Sequence, residues 1–510
     1  MSNLGFLRVY ELLNKREEVV AERFFFDKGL PLLRSFESNR HLLEFDIILF
    51  SISFELNYLN LGKILASAKI PLLSKDRRDG PLILAGGIAC QINPAPISLL
   101  VDGFLLGDFE EIQDGFINFL LERCDTRRSK TKLLEELLQY CNGCYVPMLF
   151  DKGERVTPAL KKAPLSILPH STIVSNKSSF SDTFLIEITR GCGRGCRFCA
   201  AGFVYRPPRR WPLNSVENTL SDIKGAKKVG LIGLEYASNE QIKHLCKDLI
   251  SRGINLGFSS LRADAISEDF VELLTKSKNF TATIAPEAGS ETLRKRINKN
   301  LTEDQILLAT NLLAAGGIKN LKLYFMIGLP FEESSDIEEI VSLIKRIKNE
   351  FISSSKSHGR VGNIIVSISS FVPKPWTPFQ WAGFENIDSL KKKRLFLKKS
   401  FKGMSNVIIR LDSLDEAISQ AILSKTDGKV GAKIISNYIK NKKIRVQIKK
   451  KMFNAENYLR TIEDYEPFPW EIIKHKVKRT YLFSQWKKAQ QGVESSFCDI
   501  PRCKKCGACN

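Results

Sequence analysis

From Thr183 to residue 371 the chain alternates strand-like apolar runs with helical patterns, and this regularity restricts the fold more than any other feature. The runs occupy 184–189, 229–234, 254–260, 281–286, 321–328 and 363–371. The fourth helix between them opens on a capping box, Thr302-x-x-Gln305. It carries apolar positions Ile306, Leu312 and Leu313 and stops at Gly316-Gly317. The fifth begins near Ser335-Asp336 and spaces Ile337, Val341, Ile344 and Ile347 along one face. Six β/α units are too few for a closed eightfold barrel. They predict a partial parallel (β/α)6 barrel with its chemistry at the carboxyl ends of the strands.

Directly after the first run, Thr183-Phe-Leu-Ile-Glu-Ile188, stand Cys192, Cys196 and Cys199 at C-x3-C-x2-C spacing. A structural zinc normally has four protein ligands, and the next Cys or His after Cys199 is His244. Three thiolates suit a [4Fe–4S] cluster that keeps one iron open for a ligand that is also a substrate. Phe198 sits immediately before the third cysteine. The ends of the next four runs carry polar residues where such a barrel places its site. These are Gly233-Leu-Glu235, Ser259-Ser260-Leu-Arg262-Ala-Asp264, Ala285-Pro-Glu-Ala-Gly-Ser-Glu291 with Arg294 following, and Ile327-Gly-Leu-Pro-Phe-Glu332. Each alone reads as an ordinary loop; their repetition at consecutive strand ends reads as a ligand cup.

Upstream, Phe45–Ser53, Pro81–Ala85 and Gly103–Leu106 read as strands separated by helical spacing, the last two ending at Gly86-Gly87 and Gly107-Asp108. That pattern predicts a doubly wound, Rossmann-like α/β domain over 1–150. Polar, proline-bearing residues 151–182 suit a linker, and the barrel is placed at 183–382. Residues 383–510 read as a basic, mainly helical extension: 28 Lys and Arg face 13 Asp and Glu over 382–510, most of the chain's formal charge of +21. Such a tail fits either a phosphate backbone or a solvated lysine-rich surface.

The chain ends with Cys498, Cys503, Cys506 and Cys509, a complete thiolate set for zinc or for a second iron–sulfur cluster. Soft ligation alone does not separate the two metals. Cys90, Cys124, Cys141, Cys144 and Cys246 read as structural thiols in apolar settings. Clustered cysteines in a chain without a secretory h-region point to a reducing cytoplasm. No run reaches the length of a membrane span.

The Cys-Gly-Arg-Gly-Cys-Arg-Phe-Cys core with Tyr205-Arg-Pro207, the strand-end residues and Pro373–Trp381 resemble the radical S-adenosylmethionine (SAM) superfamily. More narrowly, Phe50–Tyr58, Ala85-Gly-Gly87, Asn93-Pro-Ala-Pro96 and the terminal cysteines are similar to an uncharacterised bacterial branch with an N-terminal cobalamin-binding-type domain. The resemblance implies reductive SAM cleavage to a 5′-deoxyadenosyl radical, with flavodoxin or ferredoxin as electron donor. It places Glu235 on the SAM ammonium, Glu287 and Ser260 on the ribose, Arg262 or Arg294 on the carboxylate, and Gly328 beside the adenine. The Asp-x-His-x-x-Gly signature of cobalamin ligation is not matched by His41, His170, His244, His358 or His475, so cobalamin stays open. Alternatives are cobalamin-dependent alkyl transfer, an RNA-modifying radical enzyme, and a non-catalytic iron–sulfur or nucleic-acid-binding protein.

Overall fold

A computed structural model describes the chain apart from residues 1–2, 27–32, 125–127, 152, 162, 222, 224–225, 234–238, 357–358, 360–361, 499–502 and 510. It divides into two compact units. One comprises residues 5–164 with 418–475; the other comprises residues 1–4, 165–417 and 476–510.

In the first unit β1 (Ile47–Ser51), β2 (Leu82–Gly86) and β3 (Gly103–Leu105) are parallel, and β4 (Cys144–Tyr145) closes the edge antiparallel to β3. All of Leu82–Ala85 and Gly103–Leu105 is buried, as expected of parallel strands covered on both faces. Asp102, fully buried just before β3, is neutralised by Arg77 at 2.9 Å and Lys130 at 3.0 Å, and accepts the Ile83 N–H at 2.8 Å. A buried carboxylate survives only with such company.

The helices that 418–475 contributes pack within this same unit. The Asn93 amide donates to the carbonyls of Ser424 (2.9 Å) and Thr426 (3.4 Å). Gly431 lies so close to Pro96 that a Cβ there would fall 2.1 Å from the proline carbonyl oxygen. The Asn93-Pro-Ala-Pro96 turn is therefore a docking step for a distant helix. Between the two anchored carbonyls lies Lys425, 3% exposed. Burial first, and the charge of Arg460 second, lower its ammonium from 10.5 to about 7.

In the second unit β5 (Thr183–Glu187), a two-residue β6 (Thr189–Arg190) and its antiparallel partner β7 (Arg209–Arg210) precede β8 (Lys228–Ile232) and β9 (Asn255–Phe258). Then come β10 (Thr281–Glu287), β11 (Asn320–Ile327), β12 (Asn363–Ser370) and β13 (Val407–Leu411). The parallel orders β5-β8-β9 and β10-β11-β12-β13 meet at a parallel bridge from Leu261 to Ile284. This is the parallel β/α barrel sheet, with one strand beyond the six runs read from the sequence. β13 lies in the lysine-rich stretch read as helical. Its Val407-Ile-Ile409 core is too short to stand out, and it becomes a strand by pairing with β12. The alternation of burial along β11 and β12 separates an inner from an outer face. The Thr302 capping box forms as expected, Gln305 returning its side chain to the Thr302 N–H at 3.0 Å. The α-helices of 383–510 lie at Ile387–Phe401, Leu414–Lys425, Gly428–Ile439, Ile444–Lys449, Glu456–Leu459 and Arg479–Gln490.

Because Lys425 gives up its proton more readily folded than unfolded, the unfolded chain binds more protons between pH 7 and 10.5, so stability rises with pH in that window. Denaturant unfolding at pH 7 and pH 9 should show a contribution of up to about 1.4 kcal/mol per pH unit. That contribution should vanish in Lys425→Met. An identical pH slope in wild type and variant would refute the assignment.

Candidate active site

The cysteine loop leaves β5 at the carboxyl end of the sheet, and the β6–β7 pair clamps its two ends through Thr189↔Arg210 and Arg190↔Arg209. Glu187 holds Arg190 with two contacts, 2.7 and 2.8 Å. Inside the clamp the backbone must turn sharply, and two glycines meet the demand. Gly191 has φ +90°, with no space for a Cβ against the Tyr205 carbonyl. Gly195 has φ +77°.

The three thiols lie within electrostatic reach of one another. Burial first, then the neighbouring Cys196 charge, push the Cys199 thiol up to about 11, although the backbone of Gly202 and Ala201 acts the other way. The Cys199 N–H donates to the Cys196 carbonyl at 3.0 Å, and the Arg194 N–H points at the Cys192 sulfur at 3.4 Å. Among the described residues no three His, Cys, Asp or Glu side chains are drawn together closely enough to hold a metal ion as they stand. The donor set nevertheless fits an iron–sulfur cluster: three soft thiols on one glycine-turned loop, with cationic Arg262 beside two of them.

Arg262 joins the loop to the rest of the cup. Its guanidinium forks onto Asp264 at 2.9 and 3.0 Å and donates to the Lys299 carbonyl at 3.2 Å. Burial works against its charge, but Asp264 and the Cys196 and Cys192 thiols raise its pKa on balance. Lys299 in turn meets Glu287 at 3.2 Å. Glu287 ends β10 at a register shift with φ +72°, an uncommon conformation for a side chain of that size. Ser260 follows β9 and is exposed. Gly328 follows β11 with φ +78°, and its N–H donates to the buried Glu332 carboxylate at 2.9 and 3.0 Å. Burial raises the Glu332 carboxyl in spite of its partner Lys393, 2.6 Å away. Phe198 is half-buried within the loop.

Arg294 is placed differently. It is fully buried and donates to the carbonyls of Leu301, Ala288 and Gly289 at 2.8, 3.1 and 2.7 Å. It therefore braces the turn after β10 from within. Glu235 lies outside the described residues.

Three residues that sequence reasoning passed over hold the loop. Arg197, between two of the cysteines, is fully buried and donates to the carbonyls of Arg296 and Val493, both at 2.6 Å. Asn298 donates to the Gly195 carbonyl at 3.1 Å and accepts the Ser495 N–H at 2.7 Å. Arg206 donates to the Gly202 carbonyl at 2.6 Å and lies over the rings of Phe203 and Tyr481. No periodicity marks such residues, because their partners are backbone carbonyls far away in sequence.

The family described as radical SAM superfamily matches residues 186–344, and that described as radical SAM proteins, N-terminal, matches residues 5–147. The uncharacterized protein MJ0966 of Methanocaldococcus jannaschii is 30% identical over 433 residues, covering 84% of this chain and 88% of that one. The protein belongs to the radical SAM superfamily. It is a radical SAM enzyme that cleaves SAM reductively to a 5′-deoxyadenosyl radical acting on a further substrate. A tRNA-2-methylthio-N(6)-dimethylallyladenosine synthase of Pelagibacter ubique is 24% identical over 190 residues, and the match spans 42% of that protein and 34% of this one. Among solved structures, the cobalamin-dependent SAM radical enzyme OxsB aligns with a TM-score of 0.45 at 13% identity, covering 87% of this chain and 70% of that one.

Removing Arg197 takes away the side chain that ties the Arg296 and Val493 carbonyls together. Arg197→Leu should lower stability by about 1–2 kcal/mol and speed proteolytic cleavage near residues 493–498. An unchanged cleavage rate would show that this arginine does not fasten that segment.

Proposed function

We propose that Cys192, Cys196 and Cys199 hold a [4Fe–4S] cluster whose remaining iron takes SAM. The observation that carries this reading is the position of three thiols on one clamped, glycine-turned loop at the carboxyl end of β5. When bound, such a cluster supplies the electron that breaks the sulfonium carbon–sulfur bond. The protein's share is to orient SAM and keep water away. Arg262 presents a planar fork suited to the SAM carboxylate, for which Asp264 now stands in. Arg294, its alternative for that role, has donors already directed at three carbonyls. Ser260 and Glu287 are assigned to the ribose, Glu235 to the ammonium, Gly328 to the adenine edge and Phe198 to the wall.

The catalytic core is assigned to 183–382, after a linker at 151–182 and a cobalamin-binding-like domain at 1–150. Flavodoxin or ferredoxin is the proposed donor and the cytoplasm the proposed compartment. Among the described residues no helix is long and apolar enough to cross a membrane.

A second reading is RNA modification, favoured by the basic residues of 382–510 and by the tRNA-modifying relative. It requires RNA binding that weakens steeply with salt. Cobalamin-dependent alkyl transfer requires cobalt in the purified protein.

In an anaerobic assay with dithionite, Cys196→Ala should form no 5′-deoxyadenosine, and wild-type levels in that variant would remove the assignment. Arg262→Lys keeps the charge but loses the fork, so SAM binding measured by calorimetry should weaken about tenfold. Unchanged affinity would remove Arg262 from the SAM site.

A further inference from the structure

The C-terminal thiols belong to the same compact unit as the radical-cluster loop and are fastened to it. The Cys498 N–H donates to the carbonyl of Gly193, next to Cys192, at 2.8 Å. A Cβ on Gly193 would lie 3.6 Å from that of Cys498. Immediately upstream, Phe497 lies under the Arg194 guanidinium at 4.2 Å, and Ser495 is bonded to Asn298. Arg206, which braces the cysteine loop at the Gly202 carbonyl, also donates to the Tyr481 hydroxyl at 3.3 Å on the helix that follows Lys478. The Lys478 N–H donates to the Cys506 carbonyl at 3.0 Å, and Gly507 turns with φ +86° against the Lys478 side chain. Cys506 and Ala508 are buried. A merely solvated tail has no reason to bury a thiol.

The spacing discriminates between metals. Cys503-x2-Cys506-x2-Cys509 reproduces the C-x2-C-x2-C ligand spacing of bacterial [4Fe–4S] ferredoxins, with Cys498 as the fourth thiol. Zinc sites more often pair two separated C-x2–4-C knuckles.

Building on the proposed function above, we propose that Cys498, Cys503, Cys506 and Cys509 form a second iron–sulfur site, held by the Cys498–Gly193 and Lys478–Cys506 contacts close enough to the first to exchange electrons with it. A one-electron donor of the flavodoxin class would lose one electron for each SAM cleaved. That electron enters the breaking S–C5′ bond, giving methionine and the deoxyadenosyl radical. The second site relays it and ends each cycle in its starting state.

The test uses full-length protein reconstituted anaerobically with iron and sulfide, comparing wild type, C503A/C506A and C192A/C196A/C199A. Wild type should carry about eight irons and no zinc, and each variant about four. The reduced wild-type electron paramagnetic resonance spectrum should be broadened beyond the sum of the two variants' spectra. Arg206→Gln keeps all seven thiols, so it should retain the iron while altering the broadening. One zinc in place of four irons, iron unchanged in C503A/C506A, a wild-type spectrum equal to the sum, or unaltered broadening in R206Q would each overturn the proposal. Unchanged iron in C192A/C196A/C199A would instead sink the first assignment and leave the second standing.

Discussion

The buried guanidinium of Arg197 is the interaction on which the site most depends. It lies between Cys196 and Cys199, and burial lowers its pKa to about 10, which still leaves it charged at neutral pH. A buried charge persists only where donors and acceptors are matched. Its acceptors come from two separate places, the end of the helix Glu291–Arg296 and the segment at Val493. The cysteine loop is thus tied both to the helix Glu291–Arg296 and to the C-terminal segment. Arg296 and Val493 cannot move apart without stranding that charge.

This arrangement explains how a loop dense in glycine can hold its thiols. Gly191 and Gly195 give the turn its shape, but they add conformational freedom that something else must remove. The β6–β7 clamp removes it at the ends, and Arg197, Asn298 and Arg206 remove it in the middle. The same residues lead outward to Cys498 and Cys506, so the two thiol sets share one scaffold.

Much of this was legible in the sequence, and the limits have physical causes. The six strand runs announced themselves because their core-facing positions are apolar, almost throughout in β5 and β8 and in alternation in β11 and β12, and the Thr302 capping box because its bonds are local. The C-x3-C-x2-C pattern of Cys192, Cys196 and Cys199 was legible because ligand spacing is short-range chemistry. β13 escaped because five residues in a lysine-rich stretch acquire strand character only from a neighbour. The division of 383–510 between two units escaped for a similar reason: the docking of Gly431 on Pro96 is a steric fit between distant segments. Arg294 and Arg262 looked alike as candidate carboxylate clamps, and only burial separates one braced on carbonyls from one beside the thiols.

Direct contact between SAM and the cluster at Cys192, Cys196 and Cys199 is the central claim. Electron–nuclear double resonance on the reduced protein, with SAM isotopically labelled at its amino nitrogen and carboxylate, reads that contact directly. The account predicts hyperfine coupling from both labels, lost in the C192A/C196A/C199A variant. Labels that bind without coupling to the cluster would contradict it.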